Sequence, residues 1–180
     1  MSESLYVAFN GDRLVARGTA AATMAALEPL AGDEAQILIF ADESSEIVEW
    51  QRLAWLAREA AGAPPTERRG PGRPRLGVVA REVTLLPRHW EWLAAQPGGA
   101  SVALRKLIDQ ARHANEEGDR KRLARDRAYK LMSALAGDRP HYEEALRALY
   151  AGDREKFGAE IAPWPKDVRD YVASRAAAAF

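Results

Sequence analysis

The chain has 180 residues, with 26 Lys and Arg against 26 Asp and Glu, 47% hydrophobic residues, 13 Gly, 10 Pro and no Cys. The lack of cysteine excludes a disulfide framework, thiolate metal sites, iron–sulfur clusters and a Cys nucleophile, and leaves His89, His113 and His141 as the three imidazoles. The composition is that of a globular chain able to bury roughly 70% of its extended surface, and no apolar run approaches the roughly 20 residues of a spanning helix, so a cytoplasmic protein without a membrane segment is expected.

Neutrality hides a split. Residues 1–62 carry 4 basic and 10 acidic groups, residues 63–127 carry 14 and 8, and residues 128–180 carry 8 and 8. The central stretch, at +6, is disposed towards an anionic partner, whereas the first is acidic.

Residues 5–9 (Leu-Tyr-Val-Ala-Phe) read as a strand, Asn10-Gly11-Asp12 as a tight hairpin turn and residues 14–16 as the partner strand. An Ala-rich helix follows over residues 19–30, with Thr19 as N-cap and Met24, Leu27 and Leu30 on one face. Residues 37–40 (Ile-Leu-Ile-Phe) and 47–50 (Ile-Val-Glu-Trp), separated by a polar stretch, predict a second hairpin. The start is thus read as a ββαββ unit over residues 1–61, with a helix over 51–61 carrying Leu53, Trp55 and Leu56.

Residues 62–75 hold four Pro and three Gly in fourteen positions, which argues against helix and central strand alike. Residues 62–77 are therefore read as a linker, made cationic by Arg68, Arg69, Arg73 and Arg75. Beyond it, residues 78–86 are β-branched and extended, and Pro87 opens a short helix that Pro97-Gly98-Gly99 stops. Ser101 is expected to cap a second helix with Leu104, Leu107, Ile108 and Ala111 on one face, and His113 to end it. The region 115–180 reads as helical. One stripe (Ala124, Ala128, Leu131, Leu135) ends at Gly137, a second (Tyr142, Ala145, Leu146, Leu149) ends at Gly152, and a last helix from Pro165 presents Val168, Tyr171 and Val172. The tetrapeptide Ala-Gly-Asp-Arg at 136–139 and 151–154 is read as helix punctuation, Gly ending one helix and Asp capping the next.

The order strand, short helix, Gly turn, helix over residues 78–114 resembles the ribbon-helix-helix superfamily of DNA-binding proteins, most specifically in Gly98-Gly99-Ala100-Ser101-Val102-Ala103-Leu104-Arg105-Lys106-Leu107-Ile108. The resemblance implies a homodimer whose paired strands enter the major groove of double-stranded DNA. It also implies that Ser101 and the second-helix start face a phosphate, with Arg105 among the contacts. Alternation sets Val79, Arg81, Val83 and Leu85 on one strand face and Ala80, Glu82 and Thr84 on the other. That leaves Glu82 and Thr84 to meet bases where the family favours basic or amide residues. Gly72-Arg73-Pro74-Arg75 resembles the core of an AT-hook, whose Pro-extended backbone lays flanking guanidiniums in a narrow minor groove, although Pro71 stands where that motif has Arg.

The remaining candidates read as structure or solvated surface. The cluster Arg120, Lys121 and Arg122 with Arg125 and Arg127 is expected to open the first C-terminal helix and, weighed against an extension of the phosphate-binding surface, is read as a solvated helix face, Trp90 and Trp92 as core and dimer contacts, and the acidic pairs Glu43/Glu46 and Glu143/Glu144 as surface. No phosphate loop, His-x-x-x-His pair or Gly-x-Ser-x-Gly elbow is present. The expectation is a non-enzymatic protein without metal or cofactor.

Taken whole, with its helical end carrying Arg-Ala-Tyr-Lys-Leu-Met-Ser-Ala-Leu-Ala-Gly-Asp-Arg-Pro, the chain also resembles an uncharacterised bacterial family known as a domain of unknown function. The expected architecture is α+β, and the expected function is that of a homodimeric, nucleoid-associated or regulatory DNA-binding protein. The alternative is a dimeric adaptor that holds a protein partner through its acidic N-terminal domain.

Overall fold

The apolar runs 6–9 and 37–40 have none of the polar alternation of a half-exposed strand. The computed structural model, which describes residues 4–30, 32, 36–62, 79 and 81–180, shows the cause: their sheet is covered on both faces. Strands β1 (Tyr6–Asn10), β2 (Arg13–Gly18) and β3 (Ile37–Ala41) lie in the order β2-β1-β3, antiparallel throughout. The Asn-Gly-Asp run makes the hairpin turn as expected, with Asn10 opposite Arg13. A bulge in β2 shifts the register between the Ala8–Ala16 and Phe9–Leu14 pairs. Thr19 caps helix α1 (Ala20–Leu27), its Oγ1 accepting from Ala22 N at 3.3 Å, and a 3-10 turn (Glu28–Leu30) follows.

The second hairpin is not formed. After β3 the chain turns at residues 42–44, Ser45 adopts a φ of 58°, and the return leg makes a single bridge, Ile47 opposite Phe40. Two hydrogen bonds flank the bridge: Ala41 N donates to Glu46 O at 2.9 Å and Val48 N to Ile39 O at 2.8 Å. Trp50 does not close a strand but opens helix α2 (Trp50–Gly62). The physical reason lies in Glu49, whose carbonyl already accepts from Leu53 N at 3.0 Å as the first helical bond and so is lost to a ladder.

The chain divides into two compact units, Met1–Pro64 with Asp119–Phe180, and Pro65–Gly118. In the first unit, Tyr6, Ala8 and Ile39 face a cluster with Leu27 of α1 and Leu53 of α2. Val7, Phe9 and Phe40, all fully buried, face the opposite way. There they meet Ala128, Leu131 and Met132 of α4 (Gly99–Ala136), Leu149 of α5 (Tyr142–Ala151), Phe157 of α6 (Arg154–Ile161) and Val168, Tyr171 and Val172 of α7 (Lys166–Ala176). Three layers result, helix on sheet on helix.

The two Ala-Gly-Asp-Arg copies behave differently. Gly152 is the left-handed C-cap of α5 and Asp153 the N-cap of α6, its Oδ1 accepting from Lys156 N at 3.0 Å, as expected. Asp138 caps nothing, because α5 starts later, with His141 at a φ of 64° as its N-cap. The expected break between residues 113 and 120 is also absent. Helix α4 runs unbroken through His113 and Gly118, so Arg120, Lys121 and Arg122 stand in mid-helix rather than at a helix start. In the second unit, α3 (Pro87–Ala94) starts at Pro87 as expected, Leu93 and Ala103 are buried, and residues 81–86 are neither helix nor strand.

One buried carboxylate ties the first unit together. Asp42, 6% exposed, accepts at Oδ1 from the Tyr171 hydroxyl and Arg175 Nη2, both at 2.8 Å, and at Oδ2 from Arg17 Nη2 at 3.0 Å. Burial pushes its pKa up. The Tyr171 and Arg17 hydrogen bonds, with the Arg175 and Arg17 charges, outweigh burial and hold the carboxyl below the ordinary carboxylate range. Tyr171 moves well above the usual tyrosine range, through burial first and then through Asp42's hydrogen bond and charge.

Asp42→Asn removes the charge while keeping the shape, leaving two guanidiniums without their anion. It should destabilise the fold by about 3 kcal/mol, or roughly 6–12 °C in Tm, measured by circular dichroism at neutral pH. The native pKa is depressed, so the contribution is complete above the unfolded carboxylate value, roughly pH 4, and is lost as pH falls through the lower native value. The raised Tyr171 pKa acts at the other end: its contribution is complete below roughly pH 10 and fades as pH climbs above that. Equal melting of variant and wild type at neutral pH would remove Asp42 from its place in the fold.

Ser45 generates an opposite expectation. Its left-handed backbone disfavours a Cβ, and its Oγ is buried without a partner. Ser45→Gly should therefore stabilise the protein by about 1 kcal/mol, relief of both penalties exceeding the extra chain entropy of glycine. A lower Tm would refute this account of the turn.

Candidate functional site

The residues expected to contact DNA fall into two groups. Arg68, Arg69, Arg73 and Arg75, and with them the whole Gly-Arg-Pro-Arg arm, lie outside the described residues. Arg81, Glu82, Thr84, Ser101 and Arg105 are described, and none of them is buried. Their side chains make no hydrogen bond or ion pair among the described residues, so nothing on the single chain gathers them into one constellation.

Two features of the second unit bear on what this surface can do. The first is the turn between α3 and α4. Gly98 and Gly99 have φ of 85° and 75°, and a Cβ on Gly98 would stand 3.1 Å from that of Val102. Two consecutive left-handed residues let the chain reverse directly into a helix, which no side-chain-bearing pair does without strain. Helix α4 begins at Gly99, so Ser101 sits inside the first turn and is not the cap that its residue type suggests.

The second feature is apolar exposure. Val79, Val83, Leu86, Trp90, Trp92, Leu107 and Ile108 are between 43% and 71% exposed, although all seven fall within 30 residues of sequence. An apolar cavity of about 270 Å³ is lined by Leu85, His89, Trp92, Leu93, Leu104 and Leu107. Trp90 and Trp92, expected in a core or a dimer contact, are in no core of the single chain. A surface this apolar is characteristic of one that meets a partner.

The positive charge of the central stretch is unevenly placed along the sequence. Residues 79 and 81–118 hold five basic groups (Arg81, Arg88, Arg105, Lys106, Arg112) and five acidic ones (Glu82, Glu91, Asp109, Glu116, Glu117), a net charge of zero. The positive balance of the central stretch comes instead from two flanks. Residues 63–78 contribute four Arg against Glu67. Residues 119–127 contribute Arg120, Lys121, Arg122, Arg125 and Arg127 against Asp119 and Asp126. In the second flank Arg122 pairs with Asp119 at 2.9 Å, and Arg125 Nε is buried without a partner.

Sequence reasoning missed the Asp42 cluster and two concavities of the first unit. One, of about 280 Å³, is lined by Ser4, Leu5, Tyr6, Ala41, Glu43, Ser44 and Arg127. The other is an open groove of about 550 Å³ between residues 45–47 and Tyr129, Lys130, Ser133 and Ala134 of α4. The available signal was weak: Ile47 and Val48 as a short apolar pair between Glu46 and Glu49, and Tyr129 with Ser133 one helical turn apart.

Among the described residues no helix is long and apolar enough to cross a membrane. No curated protein and no solved structure matches the chain. The model of a family described as "Uncharacterized protein conserved in bacteria (DUF2239)" matches residues 5–176, from the edge of β1 to the end of α7. With nearly its whole length inside that match, the chain belongs to this bacterial family, as its resemblance to an uncharacterised bacterial family implies.

Proposed function

We propose that the chain is a homodimeric DNA-binding protein, regulatory or nucleoid-associated, in which residues 78–114 of two copies pair and the arm around Arg73 and Arg75 meets the duplex. The observation that carries this reading is the exposed apolar set between Val79 and Ile108, on residues 81–86, which are neither helix nor strand, and on a helix, a Gly-Gly turn and a second helix. Among the described residues, 81–86 have no ladder, and backbone without a strand partner there, beside exposed Val83 and Leu86, suits a second copy of the same segment. Two-fold pairing would set two helix starts and two basic arms side by side. The neutrality of residues 81–118 supports a division of roles in which apolar contact holds the dimer and the arms with Arg68, Arg69, Arg73 and Arg75 supply the attraction to phosphate. Arg81, Glu82, Thr84, Ser101 and Arg105 then refine position.

A second reading, an adaptor that dimerises through the same face and holds a protein partner through the first unit, is favoured by the exposed Glu82 and by that neutrality. Nuclease treatment separates the two, since a stoichiometric protein partner that survives it supports the adaptor.

Light scattering on a sizing column should give twice the 19.8 kDa chain mass, and Val83→Asp with Ile108→Asp should return it to one copy. Duplex DNA should shift in a mobility assay at low salt, and Arg73→Ala with Arg75→Ala should lower the salt slope by about two units for each arm engaged. A monomer, or no shift at low salt, overturns the proposal.

A further inference from the structure

Among the described residues, the return leg after β3 has a free backbone edge. The bonds from Ala41 N to Glu46 O and from Val48 N to Ile39 O lie on either side of the Phe40–Ile47 bridge. In an antiparallel ladder, residues opposed between two such bonds turn their own N–H and C=O outward. Phe40 spends its pair on Val7 of β1. Among the described residues Ile47 has no strand beyond it, so its N–H and C=O point off the sheet, and its neighbours offer no competing edge: Ser45 N donates to Ala41 O and Glu49 O accepts from Leu53 N.

Opposed residues also share a face of the sheet, so Ile47 lies on the same side as Phe40. Phe40 is fully buried against α4, whereas Ile47 is 60% exposed. The sheet therefore ends one strand short of covering this helix, and the open groove of about 550 Å³ marks the missing width. Its helical side is Tyr129, 43% exposed, with Ser133 and Ala134. Its rim is the exposed Lys130–Glu46 pair at 3.3 Å, and the unpartnered Ser45 Oγ belongs to the same lining.

We propose that residues 45–48 and the α4 face from Tyr129 to Ala134 are a docking site for an extended segment of a partner protein in which apolar and basic residues alternate. Backbone bonds to Ile47 demand an extended occupant, as in strand addition to an open edge. The groove takes its apolar residues beside Ile47, Tyr129 and Ala134. Charge selects the rest: residues 42–49 contain Asp42, Glu43, Glu46 and Glu49 and no Lys or Arg. Arg17 and Arg175 hold Asp42 and Lys130 offsets Glu46, while Glu43 and Glu49, exposed and without an ion pair among the described residues, leave the two ends of this segment with a negative potential that favours basic side chains on the occupant. This site lies wholly in the first unit, and a failure to bind DNA leaves it standing.

The test is a titration of the isotope-labelled full-length protein with a short blocked peptide of alternating valine and lysine, followed by NMR. Saturable shifts at the Ile47 amide and at residues 129–134 are expected, with the valine–glutamate counterpart binding at least about ten-fold more weakly. Ile47→Pro removes the outward N–H and should abolish binding. Tyr129→Lys, on an exposed helical position away from the bridge, should weaken it by about ten-fold and decides the matter if the proline variant fails to fold. Shifts confined to other surfaces, equal binding of the acidic peptide, or full binding by Tyr129→Lys overturns the proposal. So does concentration-dependent shifting of the same residues without peptide, which would make the occupant a second copy.

Discussion

Asp42 is the constraint on which the first unit depends. It stands where β3 ends, and its three partners come from β2 and from α7, 129 and 133 residues further along the chain. A buried carboxylate without partners would be expelled to solvent, and two guanidiniums converging without an anion would repel. Each side of the cluster therefore requires the other. Arg175 also stands 5.2 Å from the centre of the Tyr171 ring, and that ring lies 5.5 Å from Phe9. The polar cluster thus continues into the apolar core, and the last helix is held to the sheet by both kinds of force.

The same joint explains how a three-stranded sheet becomes the centre of the unit. A sheet this small is marginal alone, and covering both faces compensates for its size. The β1–β2 turn is held at its tip, where Asp12 pairs with Arg139, and at β2, where Leu14 N donates to Asp167 Oδ2 at 3.0 Å. The second of these sits beside the bulge, where the strand's own ladder is interrupted. A side chain from α7 thus takes up a backbone donor at the irregular point of the edge strand. The opposite edge, at Ile47, has no such cover among the described residues.

What the sequence made legible was local. The tight turn, the Thr19 cap, the Gly152–Asp153 punctuation, the Pro87 start and the apolar runs of β1 and β3 all follow from signals within a few residues of the feature. Where tertiary forces decide, the reading failed. Residues 47–50 carry strand-forming side chains, but α2 takes the backbone of Glu49 first. Gly118 and the charged stretch around it look like a break, yet a glycine in mid-helix costs only about 1 kcal/mol, which the flanking helix-forming residues absorb. Ser101 has the residue type of a cap but not the position, because the Gly98–Gly99 reversal starts the helix two residues earlier. Asp42 was read as part of a polar loop, since nothing local announces partners more than a hundred residues away. Of the candidate DNA contacts, accessibility is all that the single chain establishes for Arg81, Glu82, Thr84, Ser101 and Arg105.

The distribution of charge makes the second unit's surface consistent. Seven exposed hydrophobes on a strongly cationic surface would face a conflict, since the repulsion of like charges opposes pairing of two copies at the face that apolar contact favours. A net charge of zero over residues 79 and 81–118 avoids it. The cationic residues instead lie in sequence on either side, within 63–78 and 119–127. Under the proposed reading, apolar area sets the symmetry of the assembly while arginines set its affinity, and each can vary in sequence without weakening the other.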